Sequence, residues 1–64
     1  MSVIEVIAGS PNGFDEAVKN ALEEAQKSMQ NIKSIYVKEM NANVEGGKIT
    51  SYAVNAKISF EVNK

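Results

Sequence analysis

The sequence contains no cysteine, histidine, tryptophan or arginine, and these absences limit the kinds of site that the protein can form. Without cysteine there is no disulfide, and without either cysteine or histidine a structural zinc site is not expected. Seven basic residues, all of them lysine, stand against eight acidic residues, which gives a net charge of −1. Nucleic-acid binding needs a basic patch that usually includes arginine, so we predict no nucleic-acid partner.

Long apolar runs are also missing. Nothing approaches the roughly 18 consecutive apolar residues of a transmembrane helix, so we predict no membrane partner. The N-terminal residues lack the features of a secretory signal, and a cytoplasmic location is predicted. Catalysis would need an activated nucleophile or an acid–base pair, and the residues present show no spacing typical of either. We therefore predict that the protein is not an enzyme and has neither catalytic residues nor metal ligands.

The chain is short, at 64 residues, and residues 1–64 are predicted to form a single domain. A domain of this size buries only about 60% of the surface that its unfolded chain exposes. Ordering costs about 1.5 kcal/mol per residue, and with only two phenylalanines and two tyrosines the core is small. Self-association is the remaining source of stability, so we predict an obligate homo-oligomer.

A helix is predicted over residues 13–30, because apolar residues there recur at the spacing of one helical face. Those residues are Phe14, Val18, Ala21, Leu22, Ala25 and Met29. Asn12 precedes the helix and is predicted to be its N-cap. Two acid-before-base pairs at i,i+4 are predicted to form ion pairs, Asp15 with Lys19 and Glu23 with Lys27.

Three strands are predicted, over residues 2–9, 32–44 and 48–62, from β-branched residues and period-two alternation. The paired Gly46 and Gly47 predict a tight hairpin turn between the second and third strands, since glycine adopts positive φ without strain. In the second strand, one face is predicted to carry Ile35, Val37 and Glu39, and the other Ser34, Tyr36, Lys38 and Met40.

The order strand, helix, strand, strand indicates an α+β fold of β-α-β-β type. The helical crossover makes the first two strands parallel, and the hairpin makes the third antiparallel to the second. We predict a three-stranded antiparallel-type sheet, in the order 1-3-2, wrapped around one amphipathic helix. The loop from Gly9 to Gly13 lacks the lysine and the glycine spacing of phosphate-binding loops, so we interpret it as a strand-to-helix turn.

Short motifs lie in order along nearly the whole chain. They are Gly9-Ser10-Pro11, Glu16-Ala17, Lys19-Asn20-Ala21, Ala25-Gln26-Lys27-Ser28, Val37-Lys38-Glu39, Glu45-Gly46-Gly47-Lys48, Ser51-Tyr52 and Lys57-Ile58-Ser59-Phe60. In this combination the chain resembles the dodecins. The resemblance implies a hollow homododecamer of 23 symmetry whose sheets form the shell. It also implies storage or buffering of flavins such as FMN or riboflavin, held as stacked pairs between aromatic side chains on a two-fold axis.

The resemblance also implies which positions line the ligand pocket. In flavin-binding dodecins a tryptophan early in the second strand stacks on the ring, and a glutamine in the third strand hydrogen-bonds its edge. Matching the motifs places Ser34 at the tryptophan position and Ala53 at the glutamine position. Neither side chain provides those interactions, so weak or absent flavin binding is predicted. Tyr36, two residues from Ser34 on the same face, would either stack on the ligand or pack between subunits.

Two functions remain open at this point. The first is dodecin-like binding, storage or buffering of a flavin or another small aromatic ligand in an altered pocket. The second is a flavin-free shell with a calcium-binding or purely structural role, and calcium needs about six to eight oxygen ligands. Glu23, Glu24 and Glu45 offer carboxylates, but we interpret them as solvated charges, because adjacent acids on a helix point in different directions.

Overall fold

The computed structural model describes residues 2–62, which form a helix and three strands in the order β-α-β-β. β1 is Ser2–Ser10, α1 is Phe14–Gln26, β2 is Ile32–Glu45 and β3 is Lys48–Phe60. The strands form one sheet in the order β1-β3-β2, and both outer strands pair antiparallel with β3. The predicted α+β fold and strand order are confirmed.

The core lies between α1 and one face of the sheet, and its side chains are small. Its fully buried apolar residues are Ala17, Ala21 and Ala25 of α1 and Val54, Ala56 and Ile58 of β3. Because alanine presents only a methyl group, the helix backbone lies close to the central strand. Phe14 and Tyr52 extend this core, with their rings edge to face and their centroids 5.0 Å apart.

The start of α1 differs from the prediction, because Gly13 and not Asn12 is the N-cap. The carbonyl oxygen of Gly13 accepts a hydrogen bond from the backbone N–H of Ala17 at 3.1 Å. The Asn12 side-chain amide instead donates to the Glu16 carboxylate at 2.6 Å. The backbone N–H of Asn12 donates to the Ser10 hydroxyl at 2.9 Å. Asn12 therefore stabilises the turn before α1 through these two hydrogen bonds, and it does not cap the helix backbone.

The end of α1 comes before the predicted residue 30, because the last turn tightens. The backbone N–H of Lys27 donates to the carbonyl of Glu24 at 3.4 Å, and that of Ser28 donates to Ala25 at 3.2 Å. Such three-residue spacing is typical of a helix that is ending. Asn31 then adopts a φ of 61°, a left-handed conformation that asparagine tolerates, and it turns the chain into β2.

The predicted ion pairs on α1 do not form as expected. Lys27 lies 2.9 Å from Glu24 and pairs with it at i,i+3, so the predicted partner Glu23 is wrong. The hydrogen bond that the Lys27 ammonium donates to the Glu24 carboxylate, together with the charge of that carboxylate, raises the pKa of Lys27 above its ordinary value. Among the described residues, the charged atoms of Asp15 and Lys19 do not approach within 4.0 Å. These charges lie on the solvent side of the helix, where ion pairs contribute little.

The register of β2 shifts after Val37, and the shift reverses the predicted faces beyond it. Glu39 lies opposite Asn55, and Met40 lies opposite the core residue Val54. Directly opposite residues share a face of the sheet, so Met40 is on the helix side and Glu39 on the other side. The prediction for Glu39 and Met40 was wrong because an inserted residue in a β-bulge moves every later side chain to the opposite face.

The turn between β2 and β3 uses both glycines in the conformation predicted for them, with φ of 58° at Gly46 and 77° at Gly47. We expect Gly47→Ala to lower the free energy of unfolding by about 1 kcal/mol, because alanine is strained at positive φ. Urea unfolding measures the loss. Lys48→Ala in the same turn is the control and should change stability by no more than about 0.5 kcal/mol. Equal stability of Gly47→Ala and the unmodified protein would contradict this turn geometry.

Candidate functional site

The predicted pocket residues all lie on one surface, which we call the outer face: the face of the sheet turned away from α1. It carries Val3, Glu5 and Ile7 of β1, Ser34, Tyr36, Glu39, Asn41 and Asn43 of β2, and Ser51, Ala53, Asn55, Lys57 and Ser59 of β3. The buried side chains of β3 alternate with these and point to α1. The outer face is therefore mostly polar, and it lies opposite the core.

Ser34 lies near the start of β2, directly opposite Ser59 of β3. The two hydroxyl groups are hydrogen-bonded to each other, and Ser34 is exposed whereas Ser59 is half-buried. Ser34 also lies at the rim of a groove of about 260 Å³ between α1 and the edge of β2, lined in part by Leu22 and Gln26. A serine here offers hydrogen bonds but no ring on which a ligand could stack.

Tyr36 lies one row further along β2, directly opposite Lys57. Its side chain is 66% exposed, whereas the aromatic residues Phe14 and Tyr52 pack together on the helix side. Tyr36 is therefore the aromatic ring that the described part of the chain presents on the outer face. Its ring is available for stacking in a single copy of the chain.

Ala53 lies in β3 between Gly9 of β1 and Asn41 of β2. The side chains at its two nearest positions are thus a hydrogen atom and a carboxamide, and Ala53 itself adds only a methyl group. It lies six residues from Ser59, the partner of Ser34, along the same strand. At about 3.3 Å per residue, Ser34 and Ala53 are about 20 Å apart. One chain does not bring these two positions together, so a pocket that uses both needs a second copy.

Asn55 is a polar residue of the outer face that the sequence analysis did not select. Its side-chain oxygen Oδ1 is buried and has no hydrogen-bond partner among the described residues. Buried polar atoms almost always have a partner, so an unpaired one requires an explanation. The alternation in β3 was enough to place Asn55 on the polar face. The sequence gave no sign that its amide lacks a partner, because this depends on the register of β2.

Charged residues on and beside the outer face form loose pairs. The ammonium of Lys38 lies 4.0 Å from the Glu5 carboxylate, and that of Lys33 lies 3.8 Å from Glu61. About half of each side chain is exposed, so each pair contributes no more than about 1 kcal/mol. Within residues 2–62, no carboxylate lies within 4.0 Å of the Lys57 ammonium. Lys57 lies on this face directly opposite Glu5 of β1 and Tyr36 of β2, without an ion pair among the described residues.

Between residues 2 and 62, no three acidic side chains lie close enough together to hold a metal ion. The helix is too short and too polar to cross a lipid bilayer.

A second open groove lies at the end of the sheet near the C-terminus of α1. It has a volume of about 250 Å³ and is lined in part by Met29, Asn31, Phe60 and Glu61. The backbone N–H of Glu61, one of its lining residues, donates to the carbonyl of Asn31 at 3.1 Å. None of the predicted pocket residues lines this groove.

Several solved structures have the same fold as this chain. The dodecin from Streptomyces davaonensis is 25% identical, with a TM-score of 0.92 over 98% of this chain and 93% of that one. The dodecin from Streptomyces coelicolor is 28% identical, with a TM-score of 0.91 over 98% and 90%. The tt0972 protein from Thermus thermophilus, 22% identical, has a TM-score of 0.92 over 98% and 93%. A search of curated protein sequences gives no match.

The match to a family model extends over almost the whole sequence. The model of the dodecin family matches residues 1–63, which include all three strands, the helix and the predicted pocket positions. The fold, the strand order and the model match agree with the resemblance found in the sequence. The chain belongs to the dodecin family.

Proposed function

We propose that the protein is a non-catalytic homo-oligomer that binds, stores or buffers a small aromatic ligand at sites formed between copies on the outer face. The observation that carries this proposal is the placement of the family-equivalent pocket positions. Ser34 and Ala53 share the outer face but lie about 20 Å apart in one chain. A ligand that uses both positions must therefore contact two copies.

The shape of the single chain supports self-association. Its accessible surface is 4540 Å², against about 4,000 Å² for a compact monomer of its mass. Its radius of gyration is 13.1 Å, against about 11 Å for a compact chain of this length. A folded chain with so small a core and so much surface gains stability by covering that surface with other copies.

The exposed apolar residues also support self-association, and they lie on both faces of the sheet. They are Val3, Ile7, Tyr36, Met40, Val44, Ile49 and Val62, each more than half exposed. Ile7 is 76% exposed on the outer face, in the edge strand β1 opposite Asn55. Met40 and Val44 lie on the helix side of the hairpin, beyond the end that α1 covers. A homododecamer, as the family implies, would cover both sets.

The pocket positions do not fit a flavin as the tryptophan and glutamine of other dodecins do. Ser34 provides no ring, and its hydroxyl is already bonded to Ser59. Ala53 provides no polar group for the edge of the ring. Of the family's two ligand interactions, neither is available at its usual position, so flavin affinity is low.

Riboflavin fluorescence titrated with the assembled protein tests this function. We expect no strong quenching at submicromolar protein, and partial quenching at higher protein concentration as the altered pocket fills. Light scattering on the same sample should give an oligomer. Strong quenching at submicromolar protein would contradict the low affinity, and a folded monomer would contradict the proposed site between copies.

A further inference from the structure

We infer that Asn12 is a modification site, at which the side-chain amide is lost by intramolecular deamidation through the backbone nitrogen of Gly13. Glu16 slows this reaction through its hydrogen bond to the same amide. The three residues belong to the turn before α1 and to the first turn of that helix. None of them lies on the outer face, so the reaction is separate from the proposed ligand binding.

Deamidation of this kind needs an asparagine followed by a residue that leaves its backbone nitrogen unhindered. Asn12 is followed by glycine, whereas the other six asparagines are followed by alanine, isoleucine, valine or lysine. Glycine has no side chain to block the approach, and its backbone adopts the conformations that ring closure requires. Asn12 is also exposed, so water reaches its amide. Among the asparagines of this chain, Asn12 is therefore the one that reacts fastest.

The backbone nitrogen of Gly13 is available for the reaction. The carbonyl of Gly13 accepts a hydrogen bond from Ala17 at 3.1 Å, but within residues 2–62 its N–H donates to no other group. Gly13 precedes the hydrogen-bonded turns of α1, so its nitrogen is not part of the helix. An N–H in this position loses its proton to solvent without breaking a hydrogen bond within the chain.

The reaction consumes one water and releases one ammonia. The Gly13 nitrogen gives its proton to solvent, and its electron pair forms a bond to the side-chain carbonyl carbon of Asn12. The bond from that carbon to Nδ2 then breaks, and Nδ2 takes up a proton and leaves as ammonia. Water opens the resulting cyclic imide at either of its two carbonyl groups. The products are an aspartyl or an isoaspartyl residue at position 12.

The hydrogen bond to Glu16 opposes this reaction. The Asn12 Nδ2 donates to the Glu16 carboxylate at 2.6 Å, and the backbone N–H of Asn12 donates to the buried Ser10 hydroxyl at 2.9 Å. Together these bonds hold both the main chain and the side chain of Asn12 in one conformation. Donation to a carboxylate also raises the electron density of the amide, which makes its carbonyl carbon a poorer electrophile. Loss of the Glu16 carboxylate therefore speeds the reaction.

The product cannot re-form this contact. A carboxylate at position 12 only accepts hydrogen bonds, as does the carboxylate of Glu16, so the bond is replaced by repulsion between like charges. The isoaspartyl product also adds a methylene group to the main chain directly before Gly13, the N-cap of α1. Deamidation therefore releases the side-chain contact that joins this turn to the helix.

The experiment follows the assembled protein during incubation in mildly alkaline buffer. Peptide mapping by mass spectrometry measures conversion at each asparagine, and protein isoaspartyl methyltransferase detects the isoaspartyl product. The variants are Gly13→Ala, Glu16→Ala, Glu16→Gln and Glu23→Ala. Glu23→Ala is the matched control, because it removes the same charge from an exposed position of α1 that has no contact with Asn12. Circular dichroism on each sample reports the fold.

Gly13→Ala is expected to keep the turn, because a φ of 169° is extended backbone that alanine also adopts. The one heavy atom within 4 Å of a Cβ at this position is Oδ1 of Asp15, at 2.9 Å, which ends an exposed side chain that can move. A loss of conversion in Gly13→Ala therefore reports the attacking nitrogen and not a change of fold.

In the unmodified protein, we expect conversion at Asn12 and not at the other asparagines, and in Gly13→Ala we expect it to be lost. Glu16→Ala should convert about 2- to 13-fold faster, since one hydrogen bond no longer holds the amide. Glu16→Gln keeps an acceptor of the same shape but without charge, so its rate should lie between those of the unmodified protein and Glu16→Ala. Glu23→Ala should convert at the unmodified rate.

Three results would overturn the proposal. If Asn12 converts only after unfolding in urea, it is not a modification site of the folded protein. If Gly13→Ala converts as fast as the unmodified protein, the Gly13 nitrogen is not the attacking group. If both Glu16 variants convert no faster than Glu23→Ala, Glu16 does not slow the reaction. Should Glu16→Ala lose its helical signal, Glu16→Gln alone decides this last point.

Discussion

Replacing Ser34 by tryptophan together with Ala53 by glutamine should raise the affinity for riboflavin by about 10- to 2000-fold. An aromatic stack contributes about 0.5–1.5 kcal/mol beyond area burial, and a restored polar partner for the ring edge about 1–3 kcal/mol. Together they give about 1.5–4.5 kcal/mol, and about 1.4 kcal/mol corresponds to a tenfold change in affinity. Ser34 is exposed at the edge of the sheet in one chain, so a larger side chain has room there.

The gain should depend on assembly, because the two positions are about 20 Å apart in one chain. Riboflavin titrations should therefore be compared only between samples that have the same molecular mass by light scattering. Asn43→Trp combined with Ala53→Gln is the matched control, since it adds the same side chains to the outer face but in a different row. An equal gain in this control, or no gain in the Ser34 variant, would show that these are not the pocket positions.

Ile58→Ala should lower the free energy of unfolding by about 2–5 kcal/mol, which is a large part of the stability of a domain of this size. Ile58 is 0% exposed and lies in the central strand between Ile4 of β1 and Ile35 of β2, so the loss of its side chain leaves a cavity in the core. A fall of the unfolding temperature by about 8 °C or more is expected, at about 4–8 °C per kcal/mol.

Thr50→Ala is the control, because Thr50 lies in the same strand, is exposed near the hairpin turn and is not one of the apolar residues that assembly would cover. Both variants lose a β-branched side chain, and the cavity is specific to Ile58. We expect Thr50→Ala to cost about 1 kcal/mol or less. Thermal or urea unfolding of the assembled proteins measures both. Equal losses in the two variants would contradict the position of the core.

The sequence was sufficient to predict the elements and their order. The apolar positions of the helix recur with a period of 3.6, those of the strands with a period of two, and the two glycines determine the hairpin. These are local properties, and tertiary contacts reinforce them. The ends of α1 were less predictable. Asn12 bonds to Glu16 in preference to the helix backbone, and the last turn tightens at Ser28, through contacts that propensities do not encode.

The candidate site was only partly predictable, because it depends on cross-strand register. The alternation of β2 correctly placed Ser34 and Tyr36 on the same face, but the bulge after Val37 moved Glu39 to that face as well. A bulge leaves no clear trace in a single sequence, since the inserted residue is of an ordinary type. For the same reason, the sequence did not predict that Glu39 lies opposite Asn55.

Light scattering on a size-exclusion peak, read together with the visible spectrum of the same peak, tests the central claim most directly. The claim is that this dodecin functions only as an assembly, with a ligand site on the outer face whose flavin contacts are weakened. We expect a single oligomeric species, about 83 kDa for twelve copies of 6.9 kDa, carrying little or no flavin absorbance. A folded monomer near 6.9 kDa, or an oligomer purified with a full load of yellow flavin, would contradict it.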